Sequence, residues 1–336
     1  VAPREITNFG RTYNNKTYEY THGKGQIIID STDTTENGTI KYIQKDISGK
    51  DEQLETINQD IYFGLETNDT IATNTKNKKE YDYTDEDGLE HTTTYNGEAG
   101  LQLNFIDRLI LGIKTGDLKL AFSTEITSDS KILINRNIIK RAKQVIPYLI
   151  YDENPYTVVT DEGKIVWVLD AYTVSNKYPY SQYTTIQHDG IKKKINYIRN
   201  SIKVIIDAYD GTIKFYVTDK TDPIAMAYRN TYPTVFEDIN SEIPEDISEH
   251  FIYPEYLYNV QSELLKTYHN VKSDILYRKD DIWDFAKYNS TIVTKSSGSI
   301  LKPYYTMIEN GDKEEIGLIQ IYTPESKQNL ISYLVG

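Results

Sequence analysis

The chain of 336 residues contains no cysteine. Disulfide bonds, zinc sites built from thiolates and a cysteine nucleophile are therefore excluded. Because cysteine usage is the usual compositional guide to redox compartment, the composition leaves the compartment open.

Long hydrophobic runs are also missing. A membrane-spanning helix needs about 18 or more consecutive apolar residues, and the longest candidates, such as residues 202–206 with one lysine, are only long enough for a strand. The chain begins at Val1, without a methionine and without the apolar stretch of a signal peptide. We therefore expect a water-soluble piece cut from a longer protein.

Positive charge is scarce. Lys and Arg number 37 against 50 Asp and Glu, which gives a formal net charge of -13. A surface of this charge repels phosphates, and the one tight basic run, residues 192–194, is typical of a solvated turn. We predict no nucleic-acid partner.

Catalytic and metal-binding motifs of the strong kind are absent as well. There is no Gly-x-Ser-x-Gly, no Walker loop and no His-Glu-x-x-His. The acidic turn at residues 85–88 does not fit a calcium loop, because Tyr83 and Thr94 would take its first and last ligand positions. With the five histidines scattered singly, the sequence predicts no metal and no cofactor.

What the sequence does have is the composition of a folded protein, with 38% hydrophobic and 26% charged residues. Its centre, residues 164–217, contains two apolar runs, 165–169 and 204–206, each leading into Asp-Ala-Tyr. These runs are β-branched and too short for helices, and the Asp-Gly at positions 210 and 211 predicts a hairpin. The centre of the chain is therefore predicted to be a sheet.

Helices and further hairpins are predicted around this sheet. Apolar residues at helical spacing near 101–115 and 135–146 indicate two amphipathic helices, which we expect to cover one face of the sheet. The pattern predicts an α+β fold with a mixed or antiparallel sheet, hairpins and packed amphipathic helices. Since the length favours about two domains, we divide the chain into residues 1–150 and residues 151–336, the second part being built around the 164–217 sheet core.

The 30 tyrosines are a large excess. Tyrosine provides rigid amphipathic contacts in carbohydrate-binding and protein-binding surfaces. Asn, Lys and Ile are abundant too, and an AT-rich genome would produce this joint enrichment without selection for binding. Both explanations stay open.

The repeated Asp-Ala-Tyr provides the candidate site. Asp170 and Asp207 each follow an apolar strand, where a carboxylate is costly to bury without a partner. In a structural role they accept hydrogen bonds from turn amides. In a functional role they face each other around a ligand, within a group of five residues: Asp170, Tyr172, Arg199, Asp207 and Tyr209.

Many segments, in order along nearly the whole chain, resemble the uncharacterised bacterial membrane protein family UPF0182. The resemblance is carried by residues 20–23, 63–64, 67–68, 74–75, 79–83, 97–100, 130–133, 136, 164–172, 178–181, 196–201, 203–217, 222–223, 253–255 and 303–305.

This resemblance implies that membrane-spanning helices precede Val1 in the parent protein and that this piece is its large domain on the outer side of the cell membrane. It implies no activity and no catalytic residue. We expect binding or assembly at the cell envelope, with the protein's own transmembrane segments and an envelope glycan or protein as partners. The alternative is a hydrolase of envelope polysaccharide or peptidoglycan that uses paired carboxylates, for which carboxyl groups roughly 5–9.5 Å apart are required.

Overall fold

A computed structural model describes residues 2–6, 12–35, 37–44, 59–85, 87–288, 299–311 and 313–336. The chain forms two compact units, and neither is continuous in sequence. The first unit contains residues 1–151, 155–172 and 201–249, and the second contains residues 152–154, 173–200 and 250–336. The division of the chain near residue 150 stays a prediction.

Strands and helices are both present, and the predicted α+β class is confirmed. The strands are β1 (Ala2–Pro3), β2 (Gly23–Lys24), β3 (Gln26–Thr34), β4 (Ile40–Gln44), β5 (Asp60–Ile61), β6 (Ile71–Thr73), β7 (Glu80–Thr84), β8 (Glu90–Thr93), β9 (Lys131–Leu133), β10 (Ile150–Tyr151), β11 (Tyr156–Val159), β12 (Ile165–Ser175), β13 (Thr184–His188), β14 (Ile191–Ile195), β15 (Tyr197–Asp207), β16 (Ile213–Val217), β17 (Trp283–Phe285), β18 (Tyr304–Asn310), β19 (Lys313–Pro324) and β20 (Ser332–Val335). The helices are a π-helical turn (Asn15–Glu19), α1 (Phe105–Thr115), α2 (Leu118–Ala121), α3 (Ile138–Val145), α4 (Pro223–Thr231), α5 (Glu245–Ser248), α6 (Glu255–Tyr268) and α7 (Ser273–Arg278).

The two apolar runs at the centre of the sequence lie side by side in one sheet, as predicted. Its strand order is β10, β12, β15, β16, and β11 also pairs with β12. Ala208 donates its backbone N–H to the carbonyl of Ile165, so the end of β15 lies beside the beginning of β12 and the two strands are antiparallel. Residues 165–173 are all buried, as expected for a strand covered on both faces.

The predicted turns form where the sequence places them. β15 and β16 pair from Ile202 opposite Val217 to Ile206 opposite Ile213, across the Asp-Gly turn. Gly211 there has a φ of 68°, and an added Cβ would lie 2.6 Å from the Phe63 ring, so only glycine fits. In the second unit, β18 and β19 form a further hairpin.

The two amphipathic helices behave differently. In α3, Ile138 and Ala142 are fully buried in the core that contains Trp167 of the sheet, which confirms the predicted packing. In α1, the apolar stripe of Ile106, Ile110 and Ile113 is exposed by 66%, 59% and 68%. The prediction that this stripe covers the sheet is wrong.

The opposite side of α1 explains why. Gly112 is the buried residue of this helix, and a Cβ there would lie 2.8 Å from the carbonyl oxygen of Asp117, just before α2. α1 therefore packs closely through this small residue, with half-buried Leu111 against a neighbouring core cluster, and leaves the three isoleucines exposed. Among the described residues, none of the helices is both long and apolar enough to cross a bilayer.

Candidate functional site

Asp170 lies inside strand β12 rather than at its end. The side chains of Asp170 and Lys203 are only 6% and 7% exposed, and the Lys203 ammonium donates to the Asp170 carboxylate. Tyr172, two residues further along β12, is also buried. These two members of the predicted site therefore belong to the interior of the first unit.

Asp207 is the last residue of β15, as predicted. One of its carboxylate oxygens accepts the backbone N–H groups of Tyr209 at 2.7 Å and Asp210 at 3.1 Å. This is the turn-stabilising role that was one of the two alternatives for the residue. Burial, followed by repulsion from Asp210, raises the pKa of Asp207 even though these hydrogen bonds act in the opposite direction.

The two aspartates are not equivalent. Asp170 contacts Lys203 of β15. Asp207 lies four residues beyond Lys203 in β15, which corresponds to about 13 Å at the usual rise of a strand. The expectation of two matching strand ends around one depression is therefore wrong. Arg199, a further member of the predicted site, belongs to the second unit, where its guanidinium lies 5.6 Å from the centre of the Tyr197 ring.

Asp207 and Tyr209 do line a cavity together. Its volume is about 530 Å³, and its walls are Asp60, Glu162, Lys164, Ile165, Asp207, Tyr209 and Asp210. Four carboxyl groups thus surround the cavity against a single amine, and that amine lies 2.8 Å from the Glu162 carboxylate. The cavity favours cationic groups.

The tyrosine of this cavity is held by neighbouring aromatic rings. The Tyr209 ring lies 5.1 Å from that of Tyr95 and 5.5 Å from that of Tyr62, and its hydroxyl accepts the backbone N–H of Asn96 at 2.9 Å. Since the position of the ring is fixed before any ligand arrives, little conformational entropy is lost on binding. We call the seven cavity residues the acidic cavity.

Asp60 also belongs to a second group that the sequence reasoning missed. It starts β5, which pairs with β2 so that Lys24 lies opposite Asp60. The Lys24 ammonium is 3.2 Å from one Asp60 oxygen and also contacts Asp82 of β7. Burial lowers the pKa of Lys24, but the two carboxylates outweigh it and raise the pKa overall.

His22 completes this group. Its Nε2 atom lies 3.6 Å from Asp82 Oδ1 and 3.9 Å from Asp60 Oδ1, and its ring stacks on Tyr62 at a centroid distance of 4.7 Å. Burial raises the pKa of Asp82, and the neighbouring His22 and Lys24 lower it by more. We call His22, Lys24, Asp60 and Asp82 the histidine cluster.

The structure therefore defines an α+β domain with an acidic cavity and an adjoining histidine cluster. A sequence profile of the uncharacterised protein family UPF0182 matches residues 1–336. The chain belongs to this family, as its resemblance predicted.

Curated relatives carry the same family name. A UPF0182 protein of Caldicellulosiruptor saccharolyticus is 42% identical over 345 residues, which cover 100% of this chain and 36% of the relative. UPF0182 proteins of Clostridium botulinum (strain Loch Maree / Type A3) and Clostridium novyi (strain NT) are each 39% identical, over 99% of this chain and 36% of their own lengths. The chain thus spans about a third of these relatives. No solved structure is significantly similar.

Proposed function

We propose that this chain is an extracytoplasmic binding domain of a multi-pass bacterial membrane protein, and that its acidic cavity binds an amine-bearing glycan of the cell envelope. The observation that carries the proposal is the wall of four carboxyl groups around one preformed tyrosine. Carboxylates bind protonated amines, and a tyrosine ring packs against the apolar face of a sugar.

The size of the cavity supports a small ligand group. At about 530 Å³ it lies within the range of roughly 300–1,000 Å³ that small-molecule sites occupy. Such a volume accommodates one or two sugar rings but not a folded protein. The cavity would therefore recognise a short part of a longer polymer.

The apolar stripe on α1 supports a place within a larger protein. Three isoleucines that are each more than half exposed form a contiguous surface of the kind that marks an interaction site. The relatives are nearly three times as long as the stretch that they share with this chain. We assign the stripe to a contact with the remainder of the same polypeptide.

Isothermal titration calorimetry with a glucosamine tetramer and its N-acetylated counterpart tests the ligand proposal. The two probes share a sugar backbone and differ in amine charge, so only the glucosamine tetramer should bind. The double variant Asp207→Asn and Asp210→Asn should weaken binding by roughly tenfold or more, because it removes two carboxylates from the cavity.

A matched control removes two charges elsewhere. The double variant Asp87→Asn and Asp129→Asn changes the net charge by the same amount, but at two exposed residues outside the cavity. This control should bind like the wild type. Equal binding of both tetramers, or an equal loss in the control, would contradict recognition of an amine by the cavity.

The hydrolase alternative rests on a separate observation. Asp207 has a raised pKa in a cavity that also contains Asp60 and Asp210, and a carboxyl group with a raised pKa acts as the general acid beside a second carboxyl group in glycosidases. Release of shorter sugars from the glucosamine tetramer during prolonged incubation would favour catalysis. Recovery of the intact tetramer favours binding alone.

A further inference from the structure

The hydrogen-bond chain behind His22 fixes which ring nitrogen faces the cluster. Thr21 donates its hydroxyl proton to Glu80 at 2.6 Å, and the same hydroxyl oxygen lies 2.9 Å from His22 Nδ1. Since that oxygen has already given its proton to a carboxylate, Nδ1 is the donor in the second bond. In neutral His22, Nε2 then carries a lone pair.

Two carboxylate oxygens, which are also acceptors, lie near this nitrogen. His22 is 4% exposed, and among the described residues Nε2 has no hydrogen-bond partner. The nearest carboxylate oxygens, on Asp82 and Asp60, are 3.6 Å and 3.9 Å away. The two carboxylates already contact the Lys24 ammonium, and together with Nε2 they offer three converging electron-pair donors that suit a metal cation at their centre.

The spacing fits a metal ion. With bonds of about 2.1 Å to nitrogen and oxygen, tetrahedral ligands are separated by roughly 3.4 Å, and the three ligand atoms here all lie within 4.8 Å of one another. The orientation of the imidazole ring is supported too, because Nδ1 donates to the Thr21 hydroxyl, which in turn donates to the buried carboxylate of Glu80. We propose that His22, Asp60 and Asp82 form a binding site for a divalent transition metal ion.

Lys24 is the competing cation of this site. Its ammonium contacts the same Oδ1 atoms of Asp60 and Asp82 that face His22 Nε2. A bound metal ion therefore displaces the ammonium. The Lys24 side chain has a way out, because it is 18% exposed and borders an open cavity of about 400 Å³.

The ligand set selects the kind of ion. One imidazole nitrogen and two carboxylates suit Zn²⁺, whereas Mg²⁺ prefers six oxygens and keeps most of its water. A second group in the other unit, Glu153, His188 and Asp189, also has ligand spacing. Because Glu153 and Asp189 are both exposed, we treat this group as a source of background binding, to be removed by His188→Gln.

The experiment measures Zn²⁺ binding by calorimetry in the His188→Gln background, with Mg²⁺ as the second probe. One Zn²⁺ should bind per chain. Lys24→Met should bind Zn²⁺ roughly tenfold or more tightly, because it removes a positive charge that competes for the same two oxygens. A misfolded variant does not gain affinity, so this result separates a site from a folding defect.

Loss variants complete the test. His22→Gln should weaken Zn²⁺ binding by roughly tenfold or more, whereas His91→Gln, at a half-buried histidine paired with Asp85, should leave it unchanged. Unchanged affinity in Lys24→Met would overturn the proposal. So would equal losses in His22→Gln and His91→Gln, or binding of Mg²⁺ as tight as that of Zn²⁺.

This proposal shares Asp60 with the acidic cavity but is tested separately from the glycan proposal. No sugar enters the metal titration, and neither His22 nor Lys24 lines the acidic cavity. Failure of glycan binding with intact Zn²⁺ binding would refute the proposed function alone.

Discussion

The buried pair of Asp170 and Lys203 allows a sharp prediction about stability. Two unit charges about 3 Å apart attract each other by about 5 kcal/mol at an effective dielectric constant of about 20. Loss of hydration offsets most of this attraction, so the pair as a whole contributes little to the free energy of unfolding. Removal of one partner is different, because it leaves a buried charge without its counter-charge.

Asp170→Asn should therefore lower the free energy of unfolding by about 3–5 kcal/mol, and Lys203→Met should cost a similar amount. The double variant contains neither charge and should recover most of the loss. In a double-mutant cycle, the coupling energy between the two positions should exceed about 2 kcal/mol.

Urea unfolding followed by fluorescence provides the measurement. Trp167 is 1% exposed and lies in the same strand as Asp170, so its emission reports on this sheet once Trp283 has been replaced by Phe. Asp129→Asn serves as a surface control and should change stability by less than about 0.5 kcal/mol. A loss below about 1 kcal/mol in Asp170→Asn, or a double variant as unstable as the sum of both singles, would refute the reasoning.

Two further predictions concern pH and topology. Because the pKa of Asp207 is raised in the folded protein, the protein loses stability as pH rises through that pKa. The variant Asp207→Asn keeps an acceptor oxygen but does not titrate, so the melting temperature of the variant should equal or exceed that of the wild type at neutral pH. Below about pH 4, where Asp207 of the wild type is protonated in both the folded and the unfolded state, this difference in melting temperature should vanish. A variant that melts below the wild type only at neutral pH would reverse this sign. Protease added to intact protoplasts that express the full-length protein should digest this domain while a cytoplasmic marker protein stays intact. Protection of the domain while the membrane is sealed would exclude the extracytoplasmic placement.

Local chemistry made much of the fold predictable. The short apolar runs and the Asp-Gly turn determine the pairing of β15 with β16, since that turn fixes both the loop length and the register. The start of α4 depends on local chemistry of the same kind, because Asp222 caps the helix and Pro223 follows in its first turn. These features depend on residues that are close together in the sequence.

Orientation and long-range pairing could not be predicted in the same way. The spacing of Ile106, Ile110 and Ile113 indicates a helix but does not say which side packs, and Gly112 decided that question through its close approach to α2. Lys203 within an apolar strand was a signal of a buried acidic partner. The partner, 33 residues away, depends on how β12 and β15 align.

The histidine cluster was missed for a related reason. Its members come from β2 and the residue just before it, from β5 and from β7, so no short motif contains them, and each histidine considered alone is more often structural than functional. The pairing of Lys24 with Asp60 and the contact of Lys24 with Asp82 bring the segments together. The residues around His22 and Asp82 belonged to the family resemblance, but that resemblance implied no chemistry for them.

Asp60 connects the two parts of the site, since its carboxylate borders the acidic cavity and also contacts Lys24. A divalent ion in place of the Lys24 ammonium adds one positive charge beside this carboxylate. The acidic cavity then attracts an amine less strongly, and by thermodynamic linkage a bound amine weakens the metal site by the same factor. The two proposed cation sites share this one carboxylate, so we expect occupancy of one to weaken binding at the other.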